Sequence, residues 1–118
     1  MAKISLEGLK QIDGYVASAL VDGDSGMAMA KDGTGIDLDL ASAGNAEVLK
    51  AKRKVAQMLK LNDTIEDLLI TLHKQYHLLR PLEANQKVFL YLVLDRSKAN
   101  LAMARHELKS FEGSLDFS

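Results

Sequence analysis

The stretch 64-TIEDLLITLHKQYHLLRP-81 decides how the rest of this chain folds. With a helical period, Ile65, Leu68, Leu69, Leu72, Tyr76 and Leu79 share one face, and Thr64 stands where an N-cap belongs. Ile70 and Leu78 would then point to the polar side. As two strands broken at His73-Lys74, the same residues spread over both faces of a sheet covered on each side. Period alone leaves both readings open.

The flanks are easier to read. Downstream, "KVFLYLVLD" (87–95) is a continuous apolar run rich in branched and aromatic residues, short for a helix and suited to a central strand buried on both faces. Ser97 offers an N-cap, and Leu101, Ala104, Leu108, Phe111 and Leu115 mark a closing amphipathic helix. Upstream, Leu38–Leu61 reads as a long helix capped by Asp37. Its stripe of Ala41, Gly44, Val48, Ala51, Val55 and Leu59 is made largely of small residues, so another backbone can approach closely. Lys52 interrupts that stripe, and Glu47, Lys50, Arg53, Lys54, Gln57 and Lys60 lie away from it. Before it, Tyr15–Val21 and Met27–Ala30 flank "DGDSG", a hairpin signal. Leu6, Leu9 and Ile12 suggest a short opening helix that Gly14 can terminate in a left-handed conformation.

Composition narrows the function. The 118 residues suit one domain, expected to span 1–118, and 47% hydrophobic content supplies a core. Fifteen basic residues against 16 acidic ones argue against nucleic acid or an anionic membrane held by overall field. Without cysteine there is no disulfide or thiol chemistry. With no long apolar run, the expectation is a cytoplasmic, soluble chain.

Candidate chemistry is sparse. Counted as a calcium loop from Asp22, "DGDSG" puts Gly26 at position five, Met27 at six and Gly33 at twelve, where ligands and glycine are required; a turn is the better reading. Glu66, His73 and His77 would share a face and could hold zinc only if 64–80 were helical, which leaves a small metal-dependent hydrolase as the most remote alternative. His106 falls on the outer side of the closing helix. The cluster "KAKRK" (50–54) reads as the solvated side of the long helix, with Lys50, Arg53 and Lys54 available to a partner. No nucleotide-binding glycine loop, GxSxG elbow or cysteine nucleophile is present, so no catalytic residue, metal or cofactor is assigned.

Taken together, "GLKQIDGYVASALVDGDSGMAMA", "AGNAEVLKAK", "EDLLITLHKQYHLLRPL" and "FLYLVLDRSKANLAMARHEL" resemble the roadblock (dynein light chain) family, in particular its bacterial stand-alone members, whose fold is related to profilin-like and longin-like domains. The resemblance implies an α+β fold. It consists of a five-stranded antiparallel sheet with the long helix on one face and the two terminal helices on the other. It also implies that 64–81 forms two strands, Thr64–Leu72 and Gln75–Leu82, joined at His73-Lys74. Members commonly form homodimers through the third strand and the long helices. Here that would involve Val48, Ala51, Val55, Leu59, Leu68, Ile70 and Leu72. "DLLITL" carries no proline or lysine to blunt its edge, which suits such pairing. The function implied is a non-catalytic adaptor or regulator of a small Ras-like GTPase or of a larger assembly. The alternative is a small-molecule sensor with a pocket between sheet and helix.

Overall fold

Residues 4–115 are described by the computed structural model; Met1–Lys3 and Asp116–Ser118, the ends of the expected domain, lie outside the described residues. A short 3₁₀ turn at Glu7–Gln11 precedes β1 (Tyr15–Asp22), β2 (Ala28–Gly33), α1 (Leu38–Met58), β3 (Leu68–Thr71), β4 (Gln75–Pro81), β5 (Val88–Asp95) and α2 (Leu101–Glu112). The strands form one antiparallel sheet in the order β2-β1-β5-β4-β3. Stretch 64–81 is therefore extended, with Leu68 opposite Leu79 and Thr71 opposite Tyr76 across the turn at His73-Lys74. β3 is shorter than the expected Thr64–Leu72 because residues before Leu68 pair with no strand among the described residues.

The central position of β5 explains its composition. Leu90, Leu92 and Leu94 face a cluster with Leu6, Leu9, Ile12, Ala104 and Leu108 from the terminal elements. Phe89, Tyr91 and Val93 face the opposite cluster with Leu38, Ala46 and Leu49 of α1. The long helix thus lies on one face and the terminal helical elements on the other. Truncating one of these buried leucines to alanine removes about 2–5 kcal/mol.

Helix α1 starts where Asp37 accepts a hydrogen bond from the Leu40 N–H at 3.0 Å. Its sheet-facing residues are Leu38, Ser42, Ala46 and Leu49. The more apolar stripe through Gly44, Val48, Ala51, Val55 and Leu59 points outward instead. Small residues at 42 and 46 suit close packing on β1 and β2, so the helix needs no wide apolar face of its own.

Two local expectations change. Ser97 does not cap the closing helix: its hydroxyl donates to Asp95 Oδ1 at 2.7 Å within a turn, and Asn100 Oδ1 accepts from Met103 N–H at 3.1 Å as the cap. The opening helix is a single 3₁₀ turn, after which Gly14 adopts φ +82°. A Cβ at Gly14 would stand 2.8 Å from Asp95 O, so chain reversal and close approach both require glycine. At the far end, buried Arg80 of β4 pairs with Glu112, whose other carboxylate oxygen accepts from Glu83 N–H at 2.8 Å. That pair fastens the end of α2 to the β4–β5 loop.

Candidate interaction surface

The hydrogen-bond pattern of the β3–β4 hairpin determines what β3 offers on its open side. Leu72 N–H donates to Gln75 O at 2.8 Å, so Leu72/Gln75 is a hydrogen-bonded pair. By alternation along the ladder, Ile70/His77 and Leu68/Leu79 are the next such pairs. The N–H and C=O groups of Leu69 and Thr71 point the other way, along an edge that no strand among the described residues covers. Leu68 and Ile70 lean toward the α1 face, Leu69 toward the α2 face. Leu72 stays 44% exposed.

The flanks of α1 face opposite rims of the sheet. On one flank Asp39 pairs with Lys31 of β2 at 3.1 Å, and Lys50 Nζ reaches Asp24 O in the β1–β2 turn at 3.0 Å. On the other, Asn45 approaches the Tyr91 hydroxyl of β5. Helical spacing continues that second flank through Val48, Val55 and Leu59, 46%, 43% and 63% exposed, toward the β4–β3 side. An apolar helix flank and an open apolar strand edge thus belong to the same half of the molecule. Ala51, on the outermost line of the helix, is exposed as well.

Beneath this half lies a polar network that sequence reasoning missed. His77 Nδ1 stands 2.9 Å from Tyr91 Oη and Nε2 stands 2.9 Å from Gln75 Oε1. Because Gln75 Oε1 can only accept, Nε2 carries the proton and Nδ1 accepts from the tyrosine. Burial lowers the His77 pKa below its ordinary value and raises that of Tyr91. The neutral imidazole orients both rings, which meet edge to face. Only the fold brings these residues together, since 14 positions separate 77 from 91.

The other candidates resolve into structure. "DGDSG" forms the β1–β2 turn: the Asp22 carboxylate accepts from Asp24 N–H and the Ser25 hydroxyl, each at 3.0 Å, and Gly26 takes φ +77°. These bonds hold Asp22 below the usual carboxylate range. Glu66, His73 and His77 lie on a strand approach, a turn tip and a strand; no group of three or more metal-ligating side chains occurs among the described residues. His106 is exposed on α2. Of the basic residues, Lys50 is tied to Asp24 O and Glu47, and the Arg53 guanidinium donates to Gln86 O at 2.6 Å. Lys54 has no partner among the described residues.

At the hairpin tip, an open cavity of about 640 Å³ is bordered by Val16, His73, Lys74 and Arg96 among others. Arg96 braces the tip: its N–H donates to Lys74 O, its guanidinium donates to Leu72 O at 3.1 Å, and it lies over the Tyr76 ring. No described helix is long and apolar enough to cross a membrane.

Solved structures share this architecture. A Roadblock/LC7 domain from Streptomyces avermitilis is similar at TM-score 0.79 and 14% identity, covering 92% of this chain and 88% of that one. The gliding protein MglB from Thermus thermophilus is similar at TM-score 0.71 and 17% identity, covering 93% and 87%. An MglB structure with a tetrameric arrangement reaches TM-score 0.80 at 20% identity, covering 93% and 81%. No family model and no curated protein matches the sequence. This chain has the roadblock fold, the five-stranded α+β architecture found in MglB.

Proposed function

We propose that this chain is a non-catalytic homodimeric adaptor or regulator, a single domain acting in the cytoplasm, whose partner is a small Ras-like GTPase or a multi-protein assembly. The observation that carries the reading is the open β3 edge lying on the same side as the outward Val48, Val55 and Leu59 flank of α1. An apolar strand with unpaired backbone groups recruits another chain. A two-fold arrangement lets edge meet edge and helix meet helix with one self-complementary patch. Val48, Ala51, Val55, Leu59, Leu68, Ile70 and Leu72 form that patch; Lys54, exposed on α1, is offered to a partner, and Lys50 and Arg53 join it only on release from Asp24 O and Gln86 O. The similarity to an MglB structure with a tetrameric arrangement supports self-association through this fold. Affinity capture from native cytosol with mass spectrometry tests the partner. Recovery of a GTPase in stoichiometric amount is the expected result, and repeated recovery of the bait alone removes the regulator reading.

A further inference from the structure

We infer that β3 pairs with its own copy in one register, centred on Ile70, and that opposite charges at its two ends select that register. The inference rests on the homodimer reading above and adds to it a specific alignment.

Directly opposed residues in an antiparallel ladder point to the same face. A two-fold axis normal to the sheet preserves faces, so the axis must pass beside a single residue that opposes itself. The candidates near the middle of β3 are Leu69 and Ile70. Centring on Leu69 sets apolar Leu72 against Glu66 of the partner copy. Centring on Ile70 sets Ile70 against Ile70, Leu68 against Leu72 and Leu69 against Thr71. The outward backbone groups of Leu69 and Thr71 then bond each other. In the Ile70 register the segment carrying Glu66 and Asp67 meets the tip carrying His73 and Lys74. Glu66, His73 and Lys74 have no ion-pair partner among the described residues, whereas Asp67 is already held by Arg105 at 3.0 Å. Arg96 fixes the tip backbone, so Lys74 is presented from a braced loop. The acidic start of one strand thus faces the basic end of the other, twice per dimer.

Charge reversal tests this by sedimentation and native mass spectrometry at low ionic strength. Glu66→Lys and Lys74→Glu each replace attraction by repulsion at two symmetric places, weakening self-association roughly ten- to thirtyfold. Mixing the two variants restores assembly as a heterodimer, and E66K/K74E in one chain restores the homodimer. At about 1 M salt, where the screening length falls to about 3 Å, the differences shrink. Single variants that dimerise as tightly as wild type overturn the register while leaving the homodimer standing. A wild-type chain that stays monomeric at high concentration overturns both. Two weakened variants that do not rescue each other place the charges elsewhere and also refute the pairing.

Discussion

Val55→Glu separates an interface role from a core role. In the protomer Val55 is 43% exposed, so a carboxylate there reaches water and the fold changes by no more than about 0.5 kcal/mol. In a dimer closed over α1 the same position is covered in both copies. Burying the remaining valine surface contributes about 1 kcal/mol per protomer, which the substitution removes. Each introduced carboxylate loses hydration, at a cost of several kcal/mol per ion. Protonation limits that cost: neutralising a glutamate at pH 7 takes about 4 kcal/mol. The total is at most about 5 kcal/mol per protomer and about 10 kcal/mol for the two copies, far more than a thousandfold in Kd. Sedimentation equilibrium over a concentration series reads this as a move from twice the 12.9 kDa protomer mass toward the protomer itself. Urea unfolding at a concentration where both forms are monomeric checks the fold separately. A variant that associates as tightly as wild type refutes the placement. A variant that unfolds about 2 kcal/mol more easily as a monomer does so as well, because Val55 would then be part of the core.

Glu112→Ala leaves buried Arg80 with only the exposed Glu83 carboxylate, 3.3 Å from its Nη2, and is expected to cost about 3 kcal/mol in urea unfolding. Glu83→Ala stays within about 1 kcal/mol of wild type, and equal costs would show that α2 is not fastened through Glu112. The His77 pKa is lower folded than unfolded, so between the two values the unfolded chain binds more protons. Stability is then full above about pH 7 and falls as pH drops through about 6.5 toward the folded value. His77→Asn flattens the wild-type slope below about pH 6.5, and an unchanged slope would assign it to other groups.

Much of the architecture could be read from residue patterns, and the failures have physical causes. The buried run of β5, the Asp37 cap and the Asp-Gly turn each rest on local chemistry, and each forms as the sequence suggests. Stretch 64–81 resisted period analysis because both faces of β4 are covered: Leu78 joins one core and Leu79 the other, so apolar residues run together. Resemblance, not period, led to the strand reading. On α1, hydropathy located the apolar stripe but could not say what covers it. The side against the sheet carries Ser42 and Arg53, while valines face out. Ser97 has the chemistry of a cap, but Asp95 holds its hydroxyl, and Asn100 caps the helix three residues later. The His77–Tyr91 and Tyr15–Asp32 hydrogen bonds join residues far apart in sequence, and no local pattern announces them.

The strand order also has a consequence for how the chain is made. β1 lies between β2 and β5, so the hairpin synthesised first cannot complete its inner rim until the fifth strand has left the ribosome. Only the β1–β2 and β3–β4 hairpins can assemble early; the β1–β5 ladder closes the longest loop and comes last. During that interval the inner edge of β1 lacks the strand that its backbone groups pair with. A chain truncated before Val88 lacks the one strand that joins the two hairpins, and is left as two unjoined ribbons rather than a smaller version of the same fold.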